Sequence, residues 1–182
     1  MLSVRRFALS CILGCAAVSG CAHDLPPLTH VEHVDVDRFM GPWYVIASIP
    51  TFVEKNAFNA IESYERRPDG RVQTTFRYRK GSFDGPLKTM HPIGTVHAEG
   101  AGAIWDMQFI WPIKAEYVIA YLDRDYQQTI VARSKRDYVW IMARTPQISA
   151  QDFDALVERV AALGYAPGNL RKVPQQWPEP AR

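Results

Sequence analysis

Five histidines and three cysteines are the side chains of this 182-residue sequence best suited to hold a metal or attack a carbonyl. Their placement argues against both. His30-x-x-His33 lies in a stretch without periodicity, and His91 and His97 flank one apolar segment. No cysteine or tight carboxylate cluster joins them, so they read as solvated imidazoles and no metal is expected. A Gly-x-Ser-x-Gly elbow and a glycine-rich phosphate loop are both missing. Cys11, Cys15 and Cys21 all fall within the first 21 residues, which leaves the rest of the chain without a thiol nucleophile or a disulfide. The expectation is a protein that is not an enzyme and needs no cofactor.

The remaining chemistry is at Cys21. Arg5 and Arg6 precede an apolar run from Phe7 to Val18, too short to span a bilayer as a helix but of the length of a secretory leader. Ser19 and Gly20 then stand immediately before Cys21, an arrangement that resembles the lipobox of bacterial lipoproteins, in which the cysteine is acylated and becomes the first residue. An ordinary signal peptide cut nearby, with Cys21 incidental, is the other reading. Each buried CH₂ of an acyl chain adds about 0.8 kcal/mol, so several chains such as palmitate hold firmly where one holds weakly. Ala22, where an aspartate would signal retention in the inner membrane, resembles sorting to the outer membrane, facing the periplasm.

Residues 1–20 are thus expected to be a cleaved signal peptide, 21–34 a lipidated tether and 35–182 one domain. The whole chain has a formal charge of +2, from 21 basic and 19 acidic residues. Removing Arg5 and Arg6 with the leader leaves 19 of each, so no global basic field exists to collect nucleic acid. A body of about 160 residues suits a single core.

The body reads as many short strands joined by turns. Asp35 can cap a single helical turn, and Gly41 lets the chain swing into a first strand, 43–49. Further strands are predicted over 59–66, 71–79, 91–97, 103–111, 116–122, 127–133 and 137–144, with Pro68-Asp69-Gly70, Gly100-Ala101-Gly102 and Asp123-Arg124-Asp125 among the turns. Segments 72–79 and 105–111 alternate apolar and polar residues, whereas 43–49, 117–122 and 138–143 are apolar on both faces and need an outer cover. Ser149 and Asp152 open a predicted helix whose Phe153, Leu156, Val157, Val160 and Leu163 form the covering stripe, stopped by Gly164. A last edge strand is predicted over 170–173.

These residues resemble the lipocalin family. Gly41-Pro42-Trp43 matches its glycine-x-tryptophan, Leu122-Asp123-Arg124 stands where Thr-Asp-Tyr is usual, and Arg144 follows the eighth strand as the motif arginine. Arg136 to Pro146 (Arg-Asp-Tyr-x-Trp-Ile-x-x-Arg-Thr-Pro), together with the lipobox, is similar to the bacterial outer-membrane branch and to apolipoprotein D. The resemblance implies an all-β fold, an eight-stranded antiparallel up-and-down barrel with one C-terminal α-helix packed outside. It makes Gly41, Trp43, Asp123 and Arg144 structural, with Arg144 laid across the Trp43 indole at the narrow end. It also implies a barrel just wide enough for one small ligand.

Inward alternation nominates Tyr64, Thr74, Phe76, Tyr78, Met107, Phe109, Trp140 and Met142 as the ligand wall, each equally readable as filled core. Such a wall suits the acyl chain of a fatty acid or lysophospholipid, since apolar burial contributes roughly 25 cal/mol per Å² without directional partners. Lys80 or Arg79 is expected near the rim to meet an anionic head. Phe52, Val53 and Phe58 in the loop after the first strand, 50–58, either touch membrane lipid or gate entry, or else fold over their own barrel. Two functions stay open: a carrier that stores or transports hydrophobic ligands, or an envelope scaffold working through loops or a homodimer.

Overall fold

The computed structural model describes residues 25–179, so the predicted signal peptide and Cys21 lie outside the described residues. A single-turn helix, α1 (Val36–Phe39), leads into β1 (Gly41–Ile49), β2 (Ala57–Arg66), β3 (Val72–Lys80), β4 (Leu87–Met90), β5 (Ile93–Val96), β6 (Ile104–Ile110), β7 (Ile113–Leu122), β8 (Gln128–Ala132) and β9 (Val139–Ala143). The helix α2 (Ala150–Ala162) and the short strand β10 (Arg171–Lys172) complete the order. Neighbours pair antiparallel in sequence order, and β9 returns to β1 through Tyr44–Ala143 and Ile49–Val139 to close the ring.

Nine of the ten strands make an eight-runged barrel, and β10 lies along the edge of β1. β4 pairs with β3 at Phe76–Met90 and β5 pairs with it at Val72–Gly94, so the two are halves of one rung. The expected strand 91–97 is therefore displaced, because Pro92 has no N–H for the ladder and splits the rung, while pairing starts earlier, at Leu87. Each remaining rung overlaps its predicted segment, with ends moved by a few residues.

The outer cover falls where the doubly apolar strands require it. Leu156 and Val160 of α2 are buried against Ile130, Val139 and Ile141, with Phe153, Val157 and Leu163 packed at the edges. Ser149 caps the helix by accepting the Asp152 amide at 3.0 Å, and Gly164, at φ +91°, ends it.

Both flanking segments are more engaged than their composition suggests. The described part of the expected tether packs on the barrel: Val31 donates to the Ile119 carbonyl at 3.1 Å, Val34 to Ala101 at 3.0 Å, and the Val34 side chain is buried. At the other end, the β1–β2 ladder stops at Tyr44–Ile61, and β10 takes over that edge of β1 at Ala47 and Ser48. The Gln175 amide then bridges the parted strands, donating to Val45 at 2.8 Å and Ala60 at 3.1 Å. Asn59, at φ +47° in the β2 bulge, exchanges hydrogen bonds with Pro174 and Gln176. Glu179 ties down the end, accepting from Arg77 at 2.9 Å and Arg79 at 2.6 Å.

Candidate functional site

The barrel has a narrow end, formed by α1, the β2–β3 turn and the β7–β8 turn, and a mouth framed by the β1–β2, β3–β4, β6–β7 and β8–β9 connections. At the narrow end Trp43 is fully buried, its indole N–H donating to Phe39 at 2.9 Å. The Arg144 guanidinium lies 3.8 Å from the centre of the Trp43 ring and donates to the carbonyls of Pro42, Arg38 and Phe39. Gly41 adopts φ +90°, and a Cβ there would stand 3.4 Å from Arg144 Nη1, so the glycine serves both the turn and the close approach. Asp123 accepts the amides of Gln127 and Gln128, each at 2.6 Å, and so shapes the β7–β8 turn. Arg124 offers its main-chain carbonyl to Arg38, whereas Tyr126 makes the side-chain contacts, accepting the Asp35 amide at 2.8 Å beneath Arg38.

Above Trp43 lies an aromatic floor. Phe39, Trp105, Tyr64 and Tyr117 meet edge-on or stacked at 5.3 to 6.3 Å between ring centres. Tyr64, expected in the ligand wall, thus belongs to this floor, and Thr74 is paired with it across the ladder. Thr74 is fully buried and its hydroxyl has no hydrogen-bond partner among the described residues. Phe76, Tyr78, Met107 and Met142 join the same inner cluster, with Trp140 half-buried at its upper edge. Phe109 does not: a bulge between Gln108 and Ile110 carries it out to the rim, where it is 55% exposed.

The interior is acidic where it is polar. Glu62, passed over in the sequence, shares the inward phase of Ala60 and Tyr64 and stands opposite Trp43 and Phe76 on the neighbouring strands. Its carboxylate takes a short hydrogen bond from the Tyr64 phenol, whose oxygen is 2.6 Å from that of Tyr117. Protein surrounds Glu62 on every side, yet its side chain keeps some accessible surface, which by its phase looks into the barrel. Burial, followed by the charge of Glu54, outweighs the Tyr64 bond and lifts the Glu62 carboxyl from 4.5 to about 7. Burial and Glu62 push the phenols of Tyr64 and Tyr117 well above their usual range. The sequence signal was available: an ionisable residue on the apolar parity of its strand.

A second acid is buried at the mouth. Glu54 accepts the Trp140 indole N–H at 3.2 Å and the Thr51 hydroxyl and amide at 2.7 and 2.9 Å. Tyr78 donates to the Val53 carbonyl at 3.1 Å, so this loop folds partly over its own barrel. Phe58 turns aside to meet Phe83 at 5.1 Å, and Phe52 alone of the three projects, 81% exposed. Arg79, expected near a ligand head, is on the outer face and committed to Glu179, while Lys80 stays exposed at the rim. Two shallow grooves of about 180 and 190 Å³ lie outside the barrel between the N-terminal segment and the end of α2. None of the inward residues lines them. Among the described residues no cluster of potential metal ligands occurs, and no helix is long and apolar enough to cross a membrane.

Residues 34–175, which span the eight rungs, the covering helix and the arginine over the first-strand tryptophan, match the family model described as a lipocalin-like domain. The chain belongs to the lipocalin family. Temperature-induced lipocalin-1 of Arabidopsis thaliana is 32% identical over 152 residues, 80% of this chain and 81% of the plant protein. Outer membrane lipoprotein Blc of Escherichia coli (strain K12) is 31% identical over 136 residues, 72% of this chain and 75% of its own length. Insecticyanin from Manduca sexta superposes with a TM-score of 0.67 at 12% identity, covering 85% of this chain and 87% of its own, a likeness of fold alone. The lipocalin barrel is a fold for holding hydrophobic ligands, and here its lower half is packed with aromatic side chains while its upper half carries Phe76, Tyr78, Met107 and Trp140.

Proposed function

We propose that this lipocalin binds fatty acids or lysophospholipids within its barrel, storing or transporting them while an acylated Cys21 moors it to the outer membrane, facing the periplasm. The observation that carries the reading is the upper inner wall. Phe76, Tyr78 and Met107 turn apolar surface inward, and Trp140 borders it half-buried. An acyl chain laid there gains roughly 25 cal/mol for each Å² it removes from water. The aromatic floor limits depth, so the chain enters tail first only as far as Tyr64 and Trp105, which leaves the head at the mouth. The outer-membrane lipoprotein among its relatives supports the location.

One observation favours a second reading, an envelope scaffold without physiological cargo: the five rings of Phe39, Trp43, Tyr64, Trp105 and Tyr117 already fill the floor. Solvent extraction of the purified full-length protein followed by mass spectrometry separates the two. A recurrent co-purifying fatty acid or lysophospholipid, near one per barrel, is the expected result. Barrels that are empty, and that fail to take up a fluorescent fatty acid, leave the scaffold.

A further inference from the structure

The large apolar side chains left in water are concentrated at one end of the molecule. Phe52, Leu87, Phe109, Ile110, Trp111 and Ile113 are 46 to 82% exposed, and all stand on the connections that frame the mouth or on the strand ends beside them. The β6–β7 hairpin supplies four of them at its tip. Isolated apolar residues on a surface need no explanation, but a crown of this size at one pole does.

The same pole is cationic. Lys55, Lys80, Lys88, Lys114 and Lys135, five of the six lysines in the sequence, are exposed on these connections or the strand ends beside them. Of the acids there, Glu54 is turned inward and Asp137 is paired with Arg133 at 3.0 Å. Asp84 sits in the β3–β4 turn, Glu116 accepts the Ser134 amide and hydroxyl of the β8–β9 connection, and Lys114 keeps one ion pair, with Asp106 at 3.3 Å. Apolar tips ringed by lysines fit a bilayer with anionic headgroups, whose negative surface potential attracts each nearby cation.

The path of the chain points the same way. Arg136, in the β8–β9 turn at the mouth, donates to the Pro26 carbonyl at 2.8 Å, and the segment then descends to Val34 beside Ala101 at the narrow end. Residue 26 is therefore at the mouth. Cys21 precedes it by five residues, a reach of at most about 18 Å.

We infer that the crown around the barrel mouth is a membrane-docking surface that seats against an anionic bilayer, so that the mouth faces the leaflet holding the anchor. The orientation, though not the crown's own affinity, rests on the acylation of Cys21 proposed above. A lipid could then pass between leaflet and barrel without crossing water.

The test uses full-length protein, acylated and as Cys21→Ser, on vesicles of brominated phosphatidylcholine with one quarter phosphatidylglycerol. Bromine is expected to quench a share of tryptophan emission that Trp111→Phe removes, in both forms. Lys88→Glu with Lys114→Glu should weaken vesicle binding of the Cys21→Ser protein about tenfold or more. Docking is overturned if acylated protein floats with the vesicles while Trp111 stays open to acrylamide and untouched by bromine. It is equally overturned if Trp111 becomes shielded without vesicles as protein concentration rises, which gives the crown to a second copy. If the acylated preparation does not float, the anchor reading fails, and quenching of the Cys21→Ser protein still decides the crown.

Discussion

Arg144 and Trp43 seal the narrow end together: the guanidinium lies 3.8 Å over the indole and its N–H groups also satisfy carbonyls of Arg38, Phe39 and Pro42. One side chain thereby joins β9, β1 and α1. Arg144→Lys keeps the charge but cannot reach three carbonyls at once, and is expected to lose about 1–3 kcal/mol of stability. Trp43→Ala removes a fully buried ring and should cost about 3–5 kcal/mol. Urea titrations followed by circular dichroism measure both, and a Trp43→Ala protein as stable as the parent would refute the sealing role.

Glu62 gives the molecule a pH dependence opposite to that of a paired surface carboxylate. Below pH 4.5 folded and unfolded chains both hold its proton and it is neutral in each. Between 4.5 and about 7 only the folded chain does, so stability declines as pH rises, by at most about 3 kcal/mol. Glu62→Gln is expected to flatten that slope, with its largest gain over the parent at pH 8. Fatty-acid uptake should likewise strengthen from pH 8 to pH 5 in the parent and less in the variant, since the ionised carboxylate faces the same space as the ligand.

Trp140 borders the inner wall at the mouth and holds Glu54 through its indole N–H. Trp140→Ala should weaken binding of a fluorescent fatty acid several-fold by direct titration, with the far-ultraviolet spectrum unchanged. An unaltered dissociation constant would move the binding site elsewhere.

Gln175 fills the gap where β1 and β2 part. Gln175→Ala leaves the Val45 and Ala60 carbonyls without that partner, and a loss of about 1–3 kcal/mol is expected. Hydrogen exchange should quicken first in β10 and at the β2 bulge, not in α2.

Cys21→Ser should move the protein out of the carbonate-washed membrane fraction. Retention there would exclude acylation as the anchor.

The strands and their outer cover were legible along the chain, and the closing of those strands into a ring came from the resemblance to lipocalins. Period-two alternation in 72–79 and 105–111, double-sided apolar strands at 43–49 and 138–143, and the stripe from Phe153 to Leu163 are local patterns, and each specifies a face without reference to distant residues. The motif glycine, tryptophan and arginine were legible through their match to the lipocalin motifs.

The remaining features depend on pairs far apart in the chain. Bulges at Asn59 and Phe109 follow from how two strands register, which set Asn59 against the tail and pushed Phe109 to the rim. Pro92 and Leu87 shifted a rung because β3 continues past it. Glu62 is an unremarkable glutamate until Trp43, Phe76 and Tyr64 enclose it from three strands, and the tail from Val173 to Glu179 is a proline-rich run without a period until the parted edges of β1 and β2 offer it unpaired carbonyls. Burial and hydrogen-bond completion are properties of the assembled barrel, so residues that earn their roles through them carry little signal in one dimension.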